Sequence, residues 1–232
     1  MKIYAVNISI GVSKEDFDRV IKLLTTQQKD KICSFRNYED SLRALFSRLL
    51  CDFVLQNEYP LNTKPFLIAE TTLGKPYLEN HKNIKFNISH SGHWVVCAVS
   101  HQEIGIDVEQ VRNIDLDIAQ HYFSESERND LLVQPLVKQM DYFYRLWTLK
   151  ESYIKMLGEG LSCPLDSFSV VMKGEPYLID KTQQKLPFTL QEIFIEPDYK
   201  LAVCSSEKSL FPITIIDSNQ LVQISINNRQ LK

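Results

Sequence analysis

The chain has 232 residues, 44% hydrophobic and 24% charged, an ordinary globular composition. Its formal net charge of -3 argues against a general nucleic-acid binder, which carries a basic field, and no run approaches the ~18 apolar residues of a membrane span. The five scattered cysteines (Cys33, Cys51, Cys97, Cys163 and Cys204) form no CxxC pair, which argues against a disulfide framework or zinc site and for a reducing compartment.

Met1 to Ile10 reads as a strand without a signal-peptide apolar core, so a cytoplasmic location is expected. Ser13 is placed to cap a helix, with Asp16 at the capping-box position and an apolar stripe of Phe17, Val20, Ile21 and Leu24. The segment "QQKDKICSFR" carries Lys29, Lys31 and Arg36. A longer helix follows on the stripe Leu42, Leu45, Phe46, Leu49, Leu50, Phe53 and Val54, with Arg43 and Arg48 off it. Gly74 and Pro76 punctuate "LGKPYL" as a turn.

"IKFNISHSGHWVVCAVS" reads as two strands joined at Ser91-Gly92, and "IGIDVE" as a third, completing a meander. Ser124 and Glu127 form a capping box, and a strong helix is expected from about Asp141 to Leu157, ending at Gly158. Beyond it, "FSVVM", "IFIE", "KLAVCS" and "PITII" are strand-like. No βαβ rhythm or phosphate-binding glycine loop occurs, so the expected class is α+β with mostly antiparallel sheet. Length permits one large domain or two domains of ~100 to 120 residues, and the expected division is 1–103 and 104–232.

As a strand, "IGIDVE" puts Ile104, Ile106 and Val108 on one face and Gly105, Asp107 and Glu109 on the other. Carboxylates two strand steps apart, ~6.5 to 7 Å, can converge on one ion. Without a cation, charges ~4 Å apart repel by ~4 kcal/mol at an effective dielectric of 20. Taken alone, a solvated acidic face is the commoner reading. On the strong helix, "WTLKESYIK" aligns Trp147, Glu151 and Lys155 along one face and turns Leu146, Leu149, Tyr153 and Met156 to another. Asn87 and Ser89 share a face of "NISHS", with His90 at the strand end.

Together, "IGIDVE" and "WTLKESYIK" about forty residues later resemble the signature pair of the 4′-phosphopantetheinyl transferases, a GxD block followed by W/F-x-x-K-E-x-x-x-K. "GKP", "FNISHS" and "GLSCPLDSF" are similar to further blocks of the two-lobed, surfactin-synthetase-activating type. The resemblance implies two similar α+β lobes forming a pseudo-dimer in one chain, with the active site in the cleft between them. It implies transfer of 4′-phosphopantetheine from coenzyme A to a serine of an apo carrier domain of a nonribosomal peptide, polyketide or fatty acid synthase.

By the same resemblance, Asp107, Glu109 and Glu151 match metal-binding acids. Lys31, Arg43, Lys75 (with Gly74 and Pro76 in "GKP"), Ser89, His90 and Lys155 match coenzyme A contacts. Hard oxygen ligands and phosphates suit Mg²⁺. Glu151 is the candidate base for the serine, with Lys155 and His90 on phosphates. The segment after Gly158 matches the carrier-binding region, and a monomer is expected. Gln28 and His93 depart from the pattern, standing where a lysine and an arginine are frequent. Two rivals use the same residues differently. A metal-dependent phosphatase or nuclease would release its product without an acceptor, and a coenzyme A-binding module would have no use for three acids.

Overall fold

The computed structural model describes residues 1–60, 66–207 and 212–230. The first half runs β1 (Lys2–Asn7), α1 (Lys14–Lys22), α2 (Thr26–Cys33), α3 (Tyr38–Glu58), β2 (Ile68–Glu70), β3 (Pro76–Leu78), β4 (Lys85–Ser91) and β5 (Trp94–Ser100). The second continues with β6 (Ile104–Gln110), α4 (Ala119–Tyr122), α5 (Glu125–Leu132), α6 (Leu136–Leu157), β7 (Phe168–Val171), β8 (Tyr177–Asp180), β9 (Thr189–Glu192), β10 (Tyr199–Ser205), β11 (Ile213–Ile216) and α7 (Ser218–Gln230). The class is α+β. The strand pairs are antiparallel except β1 with β11. Among the described residues, no helix is long and apolar enough to cross a membrane, and all five cysteines are free.

Strand alternation builds four layers. One sheet has the order β11-β1-β5-β4 and another β6-β10-β9. In β1 and β5, Tyr4, Val6, Val95, Cys97 and Val99 join a core with the α3 stripe. The opposite faces present Ile3, Ala5, Trp94, Val96 and Ala98 to Ile104, Ile106, Val108, Leu201 and Val203 of the other sheet. Ala202 and Cys204 turn away from that core toward Leu146, Leu149, Tyr153 and Met156 of α6. Both sheets are thus apolar on two faces, which is why β5 reads as a nearly unbroken apolar run.

The expected meander is corrected. β6 leaves the first sheet and pairs along its length with β10. It still lies beside β4, through side chains: Asn87 Oδ1, Ser89 Oγ and Ser91 Oγ accept the N–H groups of Ile106, Val108 and Gln110 at 2.9, 3.3 and 3.1 Å. Within "TLQEIFIE" the strand is Thr189–Glu192, not "IFIE". Ile193 N–H still donates to Leu201 O at 2.9 Å, and a turn closed by Tyr199 N–H on Glu196 O then leads into β10. α6 starts at Leu136 rather than Asp141, because its first turn exposes Leu136 and Val137 and so carries no inward stripe. Gly158 ends it in the left-handed conformation at φ 76°. The last strand and helix return to the first half: β11 pairs with β1, and Leu221, Val222 and Ile226 of α7 enter the α3 core.

Candidate active site

The site is built where α6 crosses β6. An ideal Cβ at Gly105 would lie 2.0 Å from Ser152 O and 2.3 Å from Met156 N, so helix backbone rests directly on the strand. That approach brings Glu151 and Lys155, one turn apart, beside the outward face of β6. Lys155 Nζ lies 2.6 Å from Asp107 Oδ1 and 2.9 Å from Ser89 Oγ. Ser89 Oγ donates to the same Asp107 oxygen at 2.9 Å, and Ser91 Oγ donates to Glu109 Oε2 at 2.7 Å.

A cavity of about 360 Å³ is lined by Ser89, His90, Asp107, Glu109, Trp147, Glu151 and Lys155 together with Ile88. The helical face expected for Trp147, Glu151 and Lys155 therefore opens onto one space. A second recess of about 280 Å³ shares Ile88, Glu151 and Lys155, and is bounded by Gly74, Lys75, Pro76 and Gly158. Asp107 is only 2% exposed, and its Oδ2 has no hydrogen-bond partner. Such an oxygen wants a cation. Among the described residues, no three His, Cys, Asp or Glu side chains are arranged to hold a metal ion by themselves. Two carboxylates with the remainder from water and substrate phosphate is the usual way Mg²⁺ is held, and the donor set fits that mode.

Burial and the charge of Asp107 push the Glu109 carboxyl up to about 7. Glu151 is raised by the same two causes, partly offset by Lys155. His90 is lowered, first by burial and then by Arg43 and Lys155. Because Glu109 binds its proton more tightly folded than unfolded, it favours the fold below the ordinary carboxylate range, and this is lost as pH rises through about 7. The melting temperature of ligand-free protein should fall between about pH 5 and pH 7 through this group, and Glu109→Gln should flatten that slope; equal slopes in both proteins would contradict it.

Arg43, Lys75 and Lys31 lie outside the wall of the first cavity. Arg43, on α3, donates to Gly92 O at 2.8 Å and pairs with Asp40, standing behind His90. Lys75 donates to Met156 O at 2.6 Å and pairs with Glu103, tying the β2–β3 hairpin to the end of α6. Lys31 lines neither cavity. It is exposed and paired at 3.3 Å with Glu70, the residue opposite Pro76 in that hairpin. Ser91 was not among the expected site residues, although the alternation Asn87, Ser89, Ser91 signals it. Asp40 and the Met156 carbonyl give no sequence signal at all. Gln28 is committed to the α2 capping box with Thr25, and His93 bridges Tyr199 and Glu196 at 2.9 and 3.1 Å. Both departures have local structural partners.

A cleft whose acids call for a cation and whose rim carries Lys155 and Lys75 suits an anionic ligand that arrives with a divalent ion. Residues 11–102 match a family described as "4'-phosphopantetheinyl transferase, N-terminal", and residues 103–204 match the "4'-phosphopantetheinyl transferase superfamily". The 4'-phosphopantetheinyl transferase Sfp of Bacillus subtilis (strain 168) is 37% identical over 225 residues, spanning 96% of this chain and 100% of that protein. The 4'-phosphopantetheinyl transferase gsp of Aneurinibacillus migulanus is 31% identical over 210 residues, spanning 90% of this chain and 88% of that one. Among solved structures, a holo-(acyl-carrier-protein) synthase from Bacillus anthracis aligns with a TM-score of 0.39 at 20% identity, over 44% of this chain and 93% of that chain. The chain belongs to the 4′-phosphopantetheinyl transferases.

Proposed function

We propose that the protein transfers the 4′-phosphopantetheine group of coenzyme A to a serine hydroxyl of an apo carrier protein, giving the holo carrier and adenosine 3′,5′-bisphosphate. The observation that carries this reading is the meeting of Asp107, Glu109, Glu151 and Lys155 in one cavity, in a chain 37% identical to a 4'-phosphopantetheinyl transferase. Asp107 and Glu109 would hold Mg²⁺ together with water and donor phosphate, with Glu151 in the same cavity as the third acid that the resemblance implies; Mg²⁺ would neutralise charge on the donor's pyrophosphate. Lys155, His90 and Ser89 bind donor phosphates from the cavity wall, and Arg43, outside both cavities, adds positive charge near His90. Lys75, with Gly74 and Pro76, borders the adjoining recess, and Lys31 attracts the donor from outside it. The serine attacks the β-phosphorus in line, and Glu151 takes its proton; the raised affinity of Glu151 for a proton favours that role.

The carriers are domains of nonribosomal peptide, polyketide or fatty acid synthases, met by the segment after Gly158, with the enzyme acting as a cytoplasmic monomer. In the two-lobe division proposed, 1–103 and 104–232, residues 213–226 pack with the first lobe. Incubation with coenzyme A, Mg²⁺ and a panel of apo carriers should add one phosphopantetheine mass to at least one carrier. Release of nucleotide without any carrier gain would favour a hydrolase instead. Glu151→Gln should reduce the transfer rate by about 10²- to 10⁴-fold, the range for a positioned base. Full activity in that variant would refute the base assignment.

A further inference from the structure

Lys155 does two things that do not sit together. The proposed function has it hold a phosphate, yet its ammonium is already in use. Its Nζ lies 2.6 Å from Asp107 Oδ1 and 2.9 Å from Ser89 Oγ. Asp107 is buried from solvent, with its other oxygen unpartnered. Removing the only cation from a buried carboxylate is costly, because the charge left behind is neither solvated nor paired. The Asp107–Lys155 pair is the one salt bridge found for Asp107 among the described residues. The ammonium therefore supplies positive charge that the acid wall needs. Lys155 is itself partly exposed, at 29% of its side chain. Its four-carbon stem gives Nζ freedom to leave toward an anion in the cavity.

We propose that Lys155 is a built-in counter-cation for Asp107 in the donor-free protein, which makes divalent-metal binding and donor binding mutually dependent. This rests on the reading of Asp107 and Glu109 as metal-holding acids. While the ammonium stays on Asp107, a divalent ion meets an already neutralised carboxylate and binds weakly. A donor phosphate that draws Nζ away restores the charge of Asp107 and strengthens the metal site. By linkage, the metal strengthens donor binding by the same factor.

The test uses the full chain with Mn²⁺ as probe, counting free Mn²⁺ by electron paramagnetic resonance. Without coenzyme A, Lys155→Met should bind Mn²⁺ at least ~10-fold more tightly than the unaltered protein. Lys155→Gln, which keeps a hydrogen-bond donor but no charge, should do the same. Coenzyme A, which brings phosphate ligands of its own, should tighten Mn²⁺ binding in all three proteins, and by a several-fold larger factor in the unaltered protein than in either variant. Folding is checked on the same samples, where Mn²⁺ alone should raise the melting temperature of the variants more than that of the parent. Equal or weaker Mn²⁺ binding by both folded variants would overturn the counter-cation role. If Asp107→Asn leaves Mn²⁺ binding in the presence of coenzyme A unchanged, the metal-holding reading itself fails.

Discussion

A Gly105→Ala variant is expected to fold and to lose about 10²-fold in kcat/KM for holo-carrier formation, the effect of an ~1 Å misplacement of reacting groups. The added methyl would meet Ser152 O and Met156 N, both backbone atoms of α6. Helix backbone cannot step aside as a flexible side chain can. α6 must move off β6, and it carries Glu151 and Lys155 away from Asp107 as it goes. Overpacking of this kind costs ~1 to 3 kcal/mol, so the melting temperature should fall while cooperative unfolding persists. The decisive comparison is a time course of carrier mass gain with a thermal melt on the same protein. An unchanged kcat/KM beside a lowered melting temperature would show that the spacing of α6 from β6 does not set the rate.

The second large effect concerns stability and lies away from the cleft. Lys150 is fully buried, with Nζ 2.7 Å from both Glu127 oxygens, 2.9 Å from Phe168 O, and 4.3 Å from the Phe168 ring centroid. Glu127 also accepts from Ser124 N at 2.8 Å and Val170 N at 2.7 Å. One ion pair thus joins α5, α6 and β7. Lys150→Met should destabilise the fold by ~3 to 5 kcal/mol, because it strands a buried carboxylate. Adding Glu127→Leu should recover part of this, as both charges are then gone. It does not recover all, since the Ser124 and Val170 N–H groups lose their acceptor at ~1 to 3 kcal/mol each. Urea midpoints at constant slope measure both steps. A double variant no more stable than Lys150→Met would argue that the pair contributes through something other than its charges.

The contrast between these two sites explains what was legible in the sequence. Period-two alternation in "IGIDVE" and period-four spacing in "WTLKESYIK" report which side chains share a face, and the two faces do meet. The capping box Ser124–Glu127 was visible, because its partners are three residues apart. Its buried partner Lys150 was not, because nothing local distinguishes a lysine aimed at the core from one aimed at water. Strand pairing failed for the same reason. Alternation says which face is buried, not which chain lies alongside, so β6 was placed in a meander when its partner is β10, nearly a hundred residues later. "PITII" reads as a strand, yet its pairing with β1 is a contact across almost the whole chain. Lys31 and Lys75 came from motif resemblance. The structure puts Lys75 at the rim of the recess and leaves Lys31 outside both cavities.

The polar row Asn87, Ser89, Ser91 on β4 also bears on how the molecule avoids sticking to copies of itself. β4 and β6 are each the last strand of a sheet, and a bare strand edge is a template for recruiting another chain. Here the three outward N–H groups of β6 are taken by β4 side chains. Each sheet thereby shields one edge of the other without fusing into a single sheet. A continuous backbone ladder would hold the strands ~4.8 Å apart. The side-chain bridges take the place of that ladder, and Asp107 and Glu109 of β6 face the cavity beside it. The same three short polar residues thus occupy an edge that could otherwise template another strand, and they leave β4 and β6 in separate sheets.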